Sequence, residues 1–141
     1  MFLKKSSSCE ETEKIAQTLA GRLEGHEVLA FFGGMGMGKT AFVRGLARGL
    51  SITDDIASPT FALVHEYRGR HPLYHFDMYR VTNWEGLYST GFFDYLETGV
   101  MAIEWSENIE EALPENAIKI HFSRGSAEND RVLKFEGNEP L

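Results

Sequence analysis

Residues 33–40 read GGMGMGKT, which fills the pattern G-x-x-x-x-G-K-[ST], and the flanks give that pattern a physical use. An apolar run, VLAFF at 28–32, precedes it, and a helix-like stretch, AFVRGLARGL at 41–50, follows. A glycine-rich turn between a buried strand and a helix is the layout of a phosphate-binding loop. Gly33 and Gly38 let the backbone turn tightly. The run Gly34, Met35, Gly36, Met37 then lends successive N–H groups to a phosphate, with the two thioethers serving as packing groups. The start of the next helix adds its positive dipole end. Lys39 would reach the β- and γ-phosphates, and the Thr40 hydroxyl would take one place on Mg²⁺. A turn that binds nothing is the bland alternative, but the eight-residue match with both flanks correct is far more specific than a lone GxGxxG.

Working outward, Ser8 and Glu11 have capping-box spacing, and Ile15, Ala16, Leu19, Ala20 and Leu23 form one apolar face. These predict a helix over about 9–24 ended by Gly25. EVLAFF at 27–32 predicts a buried strand, and the helix after the loop carries Phe42, Val43 and Leu46 inward. Its Gly45 and Gly49 lower helix propensity in exchange for close packing. FALVHEY at 61–67 and LYHFDMY at 73–79 predict a strand pair joined by RGRHP. Residues 83–97 predict two short helices broken near Gly91, and VMAIEW at 100–105 a buried strand. A short helix over 106–113, stopped by Pro114, and a closing hairpin of AIKIHF with RVLKFE complete the chain. Trp84, Phe92, Phe93 and Tyr95 read as core before they read as a partner surface. The order predicts an α/β fold: a P-loop NTPase-like three-layer sandwich with a mostly parallel central sheet and an antiparallel C-terminal part.

Length and composition bound the possibilities. The chain has 141 residues, 43% hydrophobic and 25% charged, which predicts one domain over 1–141 with room for a core but little for a second module. Only the two ends suggest disorder, the C-terminal one over about 137–141. No apolar run approaches the ~20 residues that span a bilayer, so a cytoplasmic protein without membrane contact is expected. The single cysteine, Cys9, can form no internal disulfide and has no partner at zinc-ligand spacing. A formal charge of −7 opposes a sequence-independent grip on DNA or RNA, although Lys39, Arg44 and Arg48 could cluster near bound phosphates.

A phosphate loop needs an acid at the end of a neighbouring strand to hold Mg²⁺ from the far side. Asp77 ends LYHFD and Glu104 ends VMAIE. The unbroken apolar run before Glu104 suits a strand buried on both faces beside the loop strand, so Glu104 is assigned to the metal side. Asp77 is assigned to a water or the γ-phosphate, with the exchange of roles left open. Trp105 either covers the site or fills the core. His65, His71, His75 and His121 lack a metal-ligand motif and read as packing or surface groups.

From Thr12 to Phe122 the chain resembles the TsaE (YjeE) family, ATPases of bacterial tRNA threonylcarbamoyladenosine synthesis. The resemblance rests on GGMGMGKT with FVRGLARGL, SPTFALVHEY, LYHFDMYR and MAIEWSE with LP, in that order. The family usually has Leu and Ala where this chain has Met35 and Met37. The resemblance implies a cytoplasmic protein that binds and hydrolyses ATP to ADP with Mg²⁺. Its partners would be TsaD and TsaB, TsaD would do the chemistry on tRNA, and tRNA would be met only indirectly. It also implies that Lys39 and Thr40 bind phosphate and Mg²⁺, that Glu104 is a Mg²⁺ ligand, and that Asp77 is a candidate catalytic residue with Lys39. By the same token Ser58 and Thr60 belong to a switch-like loop, while Thr12 and Arg131 lie beside the nucleotide.

Two other classes share the loop. A small-molecule kinase needs a substrate pocket and an arginine-bearing lid, for which Arg124 and Arg131 are the only candidates. A GTPase needs an N-K-x-D stretch, which the chain lacks. A nucleotide clamp with incidental hydrolysis differs from the family reading only in whether turnover is essential.

Overall fold

The computed structural model describes residues 2–34, 38–56 and 64–137. Met35, Gly36 and Met37 of the loop, Ser58 and Thr60 of the switch-like segment, and the tail beyond Gly137 lie outside the described residues. Seven strands are described: β1 (Phe2–Ser6), β2 (Val28–Phe32), β3 (Val64–Tyr67), β4 (Leu73–Asp77), β5 (Val100–Glu104), β6 (Ile118–Arg124) and β7 (Arg131–Glu136). They form one sheet in the order β1-β7-β6-β2-β5-β4-β3. The centre, β6-β2-β5-β4, is parallel; β3 on one side and β7 and β1 on the other pair antiparallel.

Side-chain alternation divides the core into two. From β2 and β5, Leu29, Phe31, Val100 and Ala102 point to one face, where they pack with α1 (Cys9–Ala20) and α2 (Lys39–Gly49). Val28, Met101 and Ile103 point to the other, beneath α3 (Trp84–Ser89), α4 (Phe92–Tyr95) and a 3₁₀ segment over Ser106–Ala112. The central strands are buried on both faces, which is why VLAFF and VMAI read as unbroken apolar runs. Gly45 and Gly49 have the close packing expected of them. A Cβ on Gly45 would stand 2.1 Å from the Glu13 carbonyl oxygen, and one on Gly49 would stand 2.4 Å from the Ala20 Cβ.

Several boundaries differ from expectation. The N-terminus is strand β1 rather than a disordered end: its backbone pairs with β7 in the register Leu3↔Lys134 to Ser6↔Arg131. Exposed Lys4 and Lys5 suit an edge strand, where charge deters further pairing. Helix α1 stops at Ala20 instead of 24, because Gly21 begins a tighter turn with Arg22 N–H on the Leu19 carbonyl and Leu23 N–H on that of Ala20. Leu23 stays buried there and so kept the helical pattern running in the sequence. Strand β4 ends at Asp77, whose Oδ1 accepts from Tyr79 N at 2.9 Å and turns the chain. The two short helices do break at Gly91, at φ +78.

Candidate functional site

Strands β2, β5 and β4 run the same way and deliver their C-terminal ends to one edge, the usual location of a ligand in an open α/β sheet. Strand β2 leads into Gly33 at φ +131, where a Cβ would lie 2.6 Å from the Phe122 carbonyl oxygen; only glycine fits. Gly38 takes φ +98 and starts α2 with no side-chain cap among the described residues. Among the described residues no side chain caps the first-turn N–H groups of α2, the arrangement with which a helix start binds an anion. Beside them Lys39 is buried, its Nζ donating to the Gly33 carbonyl at 2.8 Å and standing 5.2 Å from the centre of the Trp105 ring.

A cleft of about 870 Å³ opens at this point. The structure brings Thr12, Gly38, Lys39, Thr40, Asp77, Glu104, Trp105 and Arg131 into its wall, together with Arg44 and Tyr79. Asp77 and Glu104 are register partners across β4 and β5, and β5 adjoins the loop strand β2. This is the placement expected of Glu104, with Asp77 one strand farther from the loop. Gly33 closes the loop from behind rather than lining the cleft, and Gly34 is exposed. Arg48 lies elsewhere: it pairs with Glu13 at 3.4 Å on the helix surface, which leaves Arg44 as the basic residue of α2 near Lys39.

Trp105 does both things open to it. It packs against the second core cluster, and it walls the cleft beneath the Lys39 ammonium with its ring centre 5.0 Å from that of Tyr79. Its φ of +60 is a costly conformation for a bulky residue, the kind of local strain that collects at binding sites. Thr12 is buried, with its hydroxyl 2.7 Å from that of Ser6; Ser6 also donates to the Ser8 carbonyl at 2.8 Å. Strand β1 is thereby tied to the start of α1. Arg131 opens β7 and donates from Nη1 to the carbonyls of Glu128 and Asp130, each at 2.9 Å, so part of its guanidinium braces its own loop.

Three contributors escaped the sequence reading. Glu107, in the 3₁₀ segment, accepts from the Gly33 amide at 3.2 Å and holds the first glycine of the loop from outside. Tyr79 faces Trp105. His75, read as packing or surface, is fully buried with Nε2 2.5 Å from Glu104 Oε2. A local signal existed only for His75, which precedes Asp77 by two residues on one strand and so shares its face. Together the cleft offers an ammonium, an uncapped helix start, a hydroxyl and two carboxylates. That donor set fits a nucleoside polyphosphate carrying a hard divalent cation.

A family profile described as "Threonylcarbamoyl adenosine biosynthesis protein TsaE" matches residues 6–133. The TsaE protein of Treponema pallidum (strain Nichols) is 40% identical over 129 residues, covering 91% of this chain and 95% of that protein. The TsaE protein of Bacillus subtilis (strain 168) is 38% identical over 128 residues, covering 89% of this chain and 79% of that one. Both carry the name tRNA threonylcarbamoyladenosine biosynthesis protein. Among solved structures, the crystal structure of Bacillus subtilis YdiB superposes with a TM-score of 0.76 at 34% identity, covering 95% of this chain and 83% of that one.

Proposed function

The chain belongs to the TsaE family of tRNA threonylcarbamoyladenosine biosynthesis, and from that premise we propose that it is the Mg²⁺-dependent subunit that binds and hydrolyses ATP for this modification. In this reading it acts on a complex of TsaD and TsaB in the cytoplasm. It serves the threonylcarbamoyl transfer to the adenosine next to the anticodon and meets tRNA only through that complex. The observation that carries it is the convergence of Lys39 and Thr40, at an uncapped helix start, with Asp77 and Glu104 in one cleft.

The roles follow from chemistry. The Lys39 ammonium, now on the Gly33 carbonyl, transfers to the phosphates, where an ion pair replaces a hydrogen bond to a neutral oxygen. The α2 amides take the β-phosphate oxygens. Thr40 and Glu104 hold Mg²⁺, which when bound neutralises phosphate charge. Asp77 orients the attacking water, and Trp105 keeps bulk solvent from the Lys39 side. Thr12, Arg44 and Arg131 lie on the cleft wall as nucleotide contacts. With part of Arg131 committed to its own loop, no second observation favours the kinase reading.

The test is steady-state phosphate release by the chain alone and then with TsaD and TsaB together. Slow release that rises with both partners supports the proposal. Fast release unchanged by partners overturns it and favours a free-standing hydrolase or kinase.

A further inference from the structure

The buried histidine behind the cleft has more than a filling role. Strands β4 and β5 pair in the register His75↔Ala102 and Asp77↔Glu104. Because side chains two residues apart share a face, His75, Asp77 and Glu104 all project to the α1 and α2 side of the sheet. His75 is 0% exposed, and its Nε2 stands 2.5 Å from Glu104 Oε2. Glu104 keeps a 12% exposed side chain in the cleft wall. One carboxylate oxygen is thus engaged from inside the core while the group still reaches the cleft. The other ring nitrogen, His75 Nδ1, is buried without a hydrogen-bond partner among the described residues. A carboxylate oxygen accepts, so the hydrogen of this contact belongs on Nε2, while Nδ1 is left unsatisfied. An unsatisfied polar atom on a buried ring is a cost that a purely apolar residue would avoid. Its retention beside Glu104 points to the bond on the opposite side of the ring.

We propose that His75 is a positioning residue: its Nε2–H holds one oxygen of the Glu104 carboxylate and so keeps the group at the cleft wall, where its other oxygen would be available to a cation. The inference rests on the reading of Glu104 as the Mg²⁺-side acid. Outer-shell partners of this kind typically change metal affinity by roughly ten- to a hundredfold when removed. Orientation matters because a glutamate has three side-chain torsions, and an unheld carboxylate divides its population among rotamers that face away from the cleft.

The experiment is calorimetric titration of ADP, once with Mg²⁺ and once with EDTA, on the native chain, His75→Leu and His75→Gln. Melting temperature is recorded for each. The native chain is expected to bind ADP more tightly with Mg²⁺. His75→Leu should bind ADP in EDTA as the native chain does but lose roughly tenfold of the Mg²⁺-dependent gain. His75→Gln, whose amide N–H reaches about as far as Nε2, should recover most of it, a rescue that simple loss of packing does not give. If the leucine variant fails to fold, His75→Asn, whose amide stops short of Glu104, is read in its place with the same expectation. A folded His75→Leu or His75→Asn protein that keeps the full gain overturns the positioning role alone. A native chain with no gain overturns the metal site itself and this inference with it.

Discussion

The two layers that cover the sheet are built by different means. On one face, α1 and α2 run 12 and 11 residues and meet through glycine, with the Gly45 and Gly49 backbones set directly against α1. On the other, α3, α4 and the 3₁₀ segment are short pieces joined by rings. Phe76 meets Phe92 edge-on with centroids 6.0 Å apart, and Tyr88 leans on Phe93 at 5.0 Å. Trp84 and Tyr88 remain 50% and 65% exposed there. Backbone-to-backbone contact has one solution, whereas ring packing can give a little. The rigid layer holds Lys39 and Thr40, and the looser one contributes Trp105 and Glu107. The cleft lies where the two layers meet, with Lys39 and Thr40 on one side and Trp105 on the other.

The largest effect expected is functional and lies in the rigid layer. Lys39→Ala should lower ATP turnover by at least ~10²-fold, because in the proposed role it removes the charge that would face the transferred phosphate, while the melting temperature stays within a few degrees of native. Near-normal turnover in the folded variant would remove the phosphate-loop assignment and with it the functional half of the contrast. Next comes Gly45→Ala. Alanine gains up to ~1 kcal/mol in helix propensity, but its Cβ must displace the Glu13 carbonyl, which costs about 3 kcal/mol or more. Urea denaturation reads the balance, and a neutral result would mean that the two helices are not held by close approach.

Loss of Phe92 should cost as much as a core position in the rigid layer, whereas Trp84→Ala on the same face should fall within about 1 kcal/mol. The same denaturation series separates them, and a large loss at Trp84 would make the looser layer a full core. The two acids then divide the cleft more finely. Glu104→Gln should weaken Mg²⁺-dependent nucleotide binding by more than the roughly tenfold expected on losing its positioning partner His75. Asp77→Asn should lower turnover with little change in affinity. Titrations with the opposite pattern would exchange their roles.

The smallest effect concerns Glu27, at the entry to β2. Burial pushes its carboxyl up, but accepting from the backbone N–H groups of Glu24, Gly25 and His26 outweighs this and holds it below the usual carboxylate range. A group with a lowered folded pKa stabilises above its unfolded value, and the contribution disappears as pH falls through the folded one. Glu27→Gln should therefore cost ~2 °C in melting temperature at neutral pH, and the gap to native should close below the carboxylate range. An unchanged gap at acid pH would show that the loss is one of packing rather than charge.

What the sequence disclosed was local. GGMGMGKT, its two flanks, the strand-like runs and the break at Gly91 each lie within a few residues of the features they announce, and so the central parallel sheet and the strand-end acids could be anticipated. What it hid depends on distant partners. Strand β1 is five residues with two lysines, and nothing near it marks a strand whose mate is β7. His75 looks like any core histidine until β4 and β5 are set in register and Glu104 comes beside it. Glu107 touches the loop only because the 3₁₀ segment doubles back under β2, and Trp105 declares its left-handed turn in no propensity. The apolar period predicts too long an α1 because Leu23 continues it after the helical hydrogen bonds have stopped.

The pairing of β1 with β7 also governs the order in which the molecule can be finished. Among the described residues the sheet partner of β1 is β7, so β1 docks only once Arg131 to Phe135 have folded back through the β6–β7 hairpin. Until then Ser6 has no fixed place from which to meet Thr12. The Thr12 end of α1 is thus tied, through β1, to a strand more than a hundred residues further along the chain.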